Sequence, residues 1–218
     1  MPVLIEAAVE TLDAALAAAQ GGARRIELCT DLAHGGTTPS VTLIREAVAH
    51  VSLPIFVLVR PRAGDFVYSS DEHRTMLEQI AQAKHEGAAG IVTGALTAQR
   101  LIAERRLAEL IARARPLSFT FHRAFDECVD HIMALETLIR HRVDRVLTSG
   151  GAKTAAEGGA QIGRLVRHAR GRIGILPGGG IDASNVRTIQ TTGVTEVHFS
   201  VREATKVRAV LEALHAED

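Results

Sequence analysis

The sequence predicts a single compact (β/α)₈ barrel that spans residues 1–218. Short apolar runs alternate with segments whose apolar residues recur every three or four positions, a pattern typical of parallel α/β folds. The strand–helix unit recurs about every 27 residues, which divides the chain into eight units. Gly22, Gly87 and Gly193 stand at three similar joints, where glycine can end a helix before the next strand. An open doubly wound sheet is the alternative, and the barrel is favoured because it uses all eight units.

The elements follow from local patterns along the chain. A stripe of apolar residues over 43–51 predicts the second helix, with Thr38 as its N-cap and Pro39 at its first position. Ser69 and Glu72 have the spacing of a capping box and predict the start of the third helix. Apolar runs between the helical segments predict strands at residues 3–8, 25–29, 55–60, 90–93, 117–122, 145–149, 173–176 and 196–200.

Composition excludes several classes of protein. The 25 basic and 25 acidic side chains balance, and only 3% of residues are aromatic, which argues against a nucleic-acid or anionic-membrane partner. No apolar run approaches the ~18 residues of a membrane span. Residues 1–6 lack the basic start of a signal peptide, and two cysteines cannot form a disulfide framework. We therefore expect a cytoplasmic protein.

Polar side chains share one face of the predicted strands, mostly near the C-terminal ends. Side chains alternate across a strand, so this face would line the lumen of a barrel and converge at the mouth where barrel active sites lie. An alternative is a structural ion network, in which Glu6 and Glu27 pair with Arg60, because buried charges need partners. The polar set is Glu6, Glu27, Cys29, Arg60, His122 and His198.

The loops after these strands indicate a small anionic ligand. Arginine forks suit carboxylate or phosphate, and the glycine run after the seventh strand exposes backbone N–H groups near a helix start. Barrel enzymes often hold phosphate in the loops after strands seven and eight. The predicted anion-binding residues are Arg60, Arg62, Arg123, Gly178, Gly179, Gly180 and Ser200.

If the protein is an enzyme, acid–base chemistry is the class that its residues favour. Glu27 or Asp126 would act as general base, and His122 as acid or electrophile. None of the three lysines lies in a predicted strand, which disfavours a Schiff-base aldolase. No P-loop or dinucleotide fingerprint is present, so no organic cofactor is expected.

A copper(I) site is the metal chemistry to consider. Copper(I) prefers soft sulfur ligands, and Cys29 with His122 could hold it. A buried cysteine is more often a small hydrophobic residue, and this alternative stays open.

Five motifs lie at residues 26–29 with 35–40, 60–68, 120–126, 145–151 and 177–180. Together they resemble the copper homeostasis protein CutC family. The resemblance covers residues 4–202 and implies a cytosolic TIM barrel, commonly a homo-oligomer, that is associated with copper tolerance and described as copper binding. The expected role is therefore copper homeostasis, through copper binding or trafficking in the cytosol. The alternative is a barrel enzyme acting on a small phosphorylated or carboxylated metabolite.

Overall fold

A computed structural model describes residues 3–216, so the four terminal residues of the domain predicted over 1–218 lie outside it. Over the described residues, strands and helices alternate along the whole chain. They are β1 (Leu4–Val9), α1 (Leu12–Gly21), β2 (Arg25–Leu28), α2 (Val41–His50), β3 (Ile55–Leu58), α3 (Ser70–His85), β4 (Gly90–Thr93), α4 (Glu104–Ala114), β5 (Ser118–Phe121), α5 (His131–Arg140), β6 (Arg145–Thr148), α6 (Gly159–Ala169), β7 (Gly174–Pro177), α7 (Val186–Gln190), β8 (Glu196–Ser200) and α8 (Ala204–His215).

The strands form one parallel sheet that curls into a barrel. Neighbouring strands pair in the order β7-β6-β5-β4-β3-β2-β1-β8. In β1, Glu6 lies opposite His198 of β8, and Ala8 lies opposite Glu27 of β2. A parallel bridge between Gly178 and His198 joins the remaining edges and closes the ring. The predicted barrel is confirmed, and the open doubly wound sheet is wrong.

Most of the predicted element boundaries agree with the structure to within two residues. The capping box of α3 is present, since Ser69 Oγ accepts from the Glu72 amide and the Glu72 carboxylate accepts from the Ser69 amide. The predicted start of α2 is wrong. Ser40 is the N-cap, and its hydroxyl accepts from the Leu43 amide. The Thr38 hydroxyl instead accepts a hydrogen bond from the Arg60 amide, which connects the loop after β2 to the segment that follows β3.

The apolar residues divide into two clusters, as strand alternation predicts. The larger cluster lies between the outer face of the strands and the helices, with fully buried side chains such as Ile26, Ile91 and Phe119. A small second cluster lies on the inward face, where Phe56, Leu58 and Val92 share one parity with Glu27. The lumen is therefore partly apolar on one side and polar elsewhere.

The floor of the barrel is an ionic layer that joins the first residues of β2, β6 and β8 to Glu6, the third residue of β1. Arg25 donates to Glu6 and, at 2.6 Å, to Glu196 Oε2. Arg145 Nε lies 3.5 Å from the same Glu196 oxygen. Both guanidinium groups lie about 5 Å from the centre of the Phe56 ring. Two arginines thus balance two carboxylates in a water-poor layer.

Within residues 3–216, no helix combines the length and the apolar character needed to cross a membrane.

Arg25→Ala is expected to destabilise the fold strongly, because it leaves the Glu6 and Glu196 carboxylates buried without their shared cation. Removing one partner of a buried pair costs about 3–5 kcal/mol. The control is Arg74→Ala, since Arg74 pairs with Asp71 and the two side chains are 67% and 85% exposed. An exposed pair contributes about 0–1 kcal/mol. Urea unfolding of both variants measures the difference, and equal losses would contradict a structural role for the floor.

Candidate functional site

A cavity of about 300 Å³ opens at the C-terminal mouth of the barrel. It is bounded by strand ends and by the loops that follow them, as the strand pattern predicts. The lining residues are Ala8, Glu27, Leu32, Gly35, Leu58, Arg60, Phe66, His122, Arg123, Leu147, Gly179, Gly180, Ile181, His198, Phe199, Ser200 and Lys206.

A buried acidic cluster connects the floor of the barrel to this cavity. His198 Nδ1 lies 2.7 Å from Glu6 Oε1 and 3.3 Å from Glu27 Oε2. Only the first contact has hydrogen-bond geometry, so Glu27 Oε2 is buried without a partner. Among the residues that the structure describes, these three side chains form the only group of three or more candidate metal ligands, with ligand atoms within 4.8 Å of one another.

The two carboxyl groups of this cluster differ in protonation. Although burial opposes it, the hydrogen bond from His198 and the charge of Arg25 lower the pKa of Glu6 to about 2. Burial and the charge of Glu6 raise the pKa of Glu27 to about 7, against the attraction of His198 and Arg25. Despite burial, the charge of Glu27 and the bond to Glu6 raise the pKa of His198. Glu27 can therefore exchange a proton near neutral pH while Glu6 stays ionised.

His122 is a neutral hydrogen-bond donor at the cavity. Its Nδ1 accepts from the Ala124 amide at 3.3 Å, which assigns the ring proton to Nε2. Burial and the charge of Arg60 lower the pKa of His122 to about 3, so the ring stays uncharged. The ring packs 4.8 Å from that of Phe66. Its Nε2 is buried without a hydrogen-bond partner, and the residue lines the cavity.

Arg60 holds two loops in place. Its terminal nitrogens donate to the backbone carbonyls of Gly36 at 3.0 Å and Gly64 at 2.7 Å, and its guanidinium lies 4.9 Å from the Phe66 ring centre. The predicted pairing of Glu6 and Glu27 with Arg60 is therefore wrong, because those donors are used by carbonyls. Arg60 Nε is buried without a hydrogen-bond partner, and the residue lines the cavity.

Asp126 does not line the cavity, although the sequence offered it as a general base. Its carboxylate accepts from Thr148 Oγ1 at 2.5 Å, from the Ser149 and Gly151 amides at 3.0–3.1 Å and from Arg123 Nε at 2.9 Å. These contacts leave little capacity to take a substrate proton. Asp126 instead positions Arg123, which does line the cavity.

The glycine loop lies beside two cationic side chains. Gly179 and Gly180 have φ values of 108° and 70°, which residues other than glycine rarely adopt. A Cβ on Gly179 would lie 3.4 Å from Arg123 Nη1. Gly178 lies in the barrel wall, where a Cβ would stand 2.6 Å from Leu147 Cδ1. Positive charge therefore gathers on the side of the cavity where the sequence predicted an anion.

Lys206 completes this side of the cavity, and the sequence reasoning did not select it. It stands in the first turn of α8, and its ammonium donates to the Ser200 carbonyl at 2.8 Å. Burial lowers the pKa of Lys206, partly offset by the charge of Asp182. The position of Lys206 shortly after β8 could have predicted its role, because the segments that follow the strands surround the mouth of a barrel.

Two further predicted residues lie outside the cavity lining. Arg62 donates to Glu72 at 2.5 Å and to Asp65 at 2.9 Å, so carboxylates already occupy its fork. Cys29 packs in the inner apolar cluster, and its thiol donates to the Val9 carbonyl at 3.5 Å. Burial and the charge of nearby Glu27 raise the pKa of this thiol. That Cys29 and His122 together bind copper stays a prediction.

The chain is similar to known proteins in sequence and in structure. The model of the CutC family matches residues 3–203. A human protein named "Copper homeostasis protein cutC homolog" is 46% identical over 91% of this chain and 73% of its own length. A family protein CutC from Mesorhizobium japonicum is 47% identical over 90% of this chain and 77% of its length. A solved CutC structure from Streptococcus agalactiae is 34% identical, with a TM-score of 0.86 over 90% of this chain and 98% of that one.

Glu27→Gln is expected to change how stability depends on pH. The pKa of Glu27 rises from 4.5 to about 7 on folding, so the folded protein holds more protons than the unfolded chain between those values. Stability therefore falls as pH rises through this window, by up to about 1.4 kcal/mol per pH unit. Urea unfolding from pH 5 to 7.5 should show this fall in the native protein and a weaker one in Glu27→Gln. Parallel curves would contradict the raised pKa.

Proposed function

The chain belongs to the CutC family, and from this membership we propose that it takes part in copper homeostasis. The observation that carries the proposal is the 46% identity to the human protein that bears this name. The family match over residues 3–203 includes every strand and every cavity residue except Lys206. We propose copper binding or trafficking in the cytoplasm, by a homo-oligomer, as the form that this role takes.

Cys29 is the residue proposed to bind copper(I), with His122 as a second ligand. Thiolate sulfur is the donor that copper(I) prefers. The Cys29 thiol is protonated and bonded to the Val9 carbonyl, so the metal must displace that proton. Copper affinity at this site should therefore increase with pH.

Cys29→Ser is expected to abolish tight copper(I) binding, because it removes the sulfur ligand. Cys128→Ser is the matched control, since Cys128 is also a free and buried cysteine but lies after the loop that follows β5. Titration of the reduced, metal-free protein against a competing copper(I) chelator measures both affinities. Equal binding by the native protein and Cys29→Ser would rule out Cys29 as a ligand.

A second candidate function is supported by the cavity itself. We propose an enzyme that acts on a small phosphorylated or carboxylated metabolite. The specific observation is that Glu27 Oε2 and His122 Nε2 are both buried without partners, and both residues line one cavity. A buried polar atom left unsatisfied costs about 1–3 kcal/mol, which a bound ligand would recover. A cavity near 300 Å³ is at the lower end of the range for ligand sites, which suits a small metabolite.

The anionic part of this metabolite would lie against the glycine loop. Arg123 and Lys206 supply positive charge there, and backbone N–H groups near Gly179 and Gly180 can add hydrogen bonds. The acid–base pair Glu27 and His122 would then face the reacting part of the molecule.

Arg123→Gln and Lys206→Met are each expected to weaken binding of inorganic phosphate at least ~10-fold, since a charged hydrogen bond contributes about 1.5–3 kcal/mol. The control is Arg105→Gln, because the Arg105 side chain is 93% exposed on α4. Calorimetric titration with phosphate measures the three affinities. An affinity that responds equally to all three changes would contradict an anion site at the mouth.

A further inference from the structure

We infer that the cavity catalyses enolisation of a small hydroxycarbonyl or oxo compound that carries a phosphate or carboxylate. Glu27 would remove a proton from the carbon next to the carbonyl, and His122 would stabilise the oxygen. This inference rests on the second proposed function and adds to it a reaction class and a substrate class.

Glu27 and His122 stand on different sides of the lumen. Glu27 belongs to β2 and His122 follows β5, and β3 and β4 separate these strands in the sheet. In a ring of eight strands this spacing is close to opposite walls. A molecule that fills the cavity between them contacts both residues.

Glu27 has the properties of a base rather than of a structural carboxylate. The other lumen carboxylates, Glu6 and Glu196, are bound by Arg25, whereas Glu27 Oε2 accepts no hydrogen bond. His198 Nδ1 donates its hydrogen bond to Glu6 and lies 3.3 Å from Glu27 Oε2. The charge of His198 therefore favours ionised Glu27, while Glu27 Oε2 accepts no hydrogen bond from it. A carboxylate oxygen that accepts no hydrogen bond, on a residue that lines the cavity, can take a proton from a bound molecule and return it.

His122 has the properties of an electrophile for a carbonyl oxygen. The Ala124 amide occupies Nδ1, so the free nitrogen carries a proton. The ring is buried, its Nε2 has no hydrogen-bond partner, and the residue lines the cavity. A neutral N–H group can donate a hydrogen bond to an enolate oxygen and keep its proton. Carbonyl enolisation needs such a donor together with a carboxylate base.

The reaction requires no oxidant or cofactor. The C–H bond breaks, its proton moves to the Glu27 carboxylate, and its electron pair forms a carbon–carbon double bond. The former carbonyl oxygen becomes negative and accepts the hydrogen bond from His122 Nε2. Return of the proton to the same carbon exchanges hydrogen with solvent. Return to the former carbonyl carbon of a hydroxycarbonyl compound, with the proton of the adjacent hydroxyl passing to the former carbonyl oxygen, gives its isomer.

The anionic end of the substrate fixes which carbon reaches Glu27. Arg123, Lys206 and the glycine loop lie on one side of the cavity and hold the phosphate or carboxylate there. Leu58 and Phe66 supply apolar walls that limit the water around the carbanion.

The test follows hydrogen–deuterium exchange by proton NMR in D₂O near neutral pH. The probes are dihydroxyacetone phosphate and pyruvate, which carry a phosphate and a carboxylate respectively and have exchangeable C–H bonds next to a carbonyl. The native protein should accelerate exchange of at least one probe. Glu27→Gln should lower the rate at least ~100-fold because it removes the base, and His122→Gln should lower it by a comparable factor.

Two further variants separate a catalytic role from a structural one. Glu27→Asp keeps a carboxylate and should retain part of the exchange, with a rate that rises with pH as the carboxyl group ionises. Glu109→Gln is the matched control, because Glu109 pairs with His73 on the outer helices at 2.7 Å, and exchange should be unchanged. Variants purified in parallel also control for a contaminating isomerase.

The outcomes distinguish the inference from the function on which it rests. Exchange that is lost in Glu27→Gln and His122→Gln while phosphate binding persists supports enolisation. Phosphate binding without exchange of either probe, or exchange that is equal in Glu27→Gln, overturns enolisation and leaves the anion-binding proposal intact. Absence of phosphate binding and of exchange overturns both.

Discussion

The contact of Arg25 with two buried carboxylates is the interaction on which the lumen depends. Glu6 and Glu196 come from the neighbouring strands β1 and β8. Without the Arg25 guanidinium, their two carboxylates would repel each other in a water-poor interior. The hydrogen bond from His198 and the charge of Arg25 together keep Glu6 ionised in spite of its burial. His198 in turn lies at the bridge that closes the barrel against Gly178. Closure of the sheet and the charge state of the lumen therefore have a common origin.

The lumen changes character from floor to mouth. At the floor, Arg25 pairs with Glu6 and Glu196, so Glu6 belongs to an ion network in which Arg25 takes the place of the expected Arg60. At the mouth, Glu27, Arg60 and His122 each keep one buried polar atom without a partner. Unsatisfied buried groups are costly and concentrate where a ligand completes them. Tyr68, His73 and Arg145 also keep such an atom, so it is the position in the cavity lining that distinguishes Glu27, Arg60 and His122.

The two proposed functions use different atoms of this mouth. Copper(I) binding would draw on the Cys29 sulfur, which packs beside Leu58 in the inner apolar cluster. Acid–base chemistry would draw on oxygen and nitrogen atoms in the cavity, on Glu27 and His122. Membership of the CutC family supports the copper role, whereas the open hydrogen-bonding groups support a small-molecule ligand. A change at Cys29 should therefore affect the first function, and a change at Glu27 the second.

The sequence by itself determined the barrel, nearly all strand boundaries and the end of the barrel where the site lies. Periodicity and strand alternation are local properties, and they placed Glu27, His122 and His198 in the lumen. Only the tertiary structure decided which partners the polar groups take. The Asp126 carboxylate accepts hydrogen bonds from the loop after β6, and Lys206 of α8 lines the cavity. These contacts join loops that are distant in sequence, and their geometry depends on how the closed barrel brings the loops together.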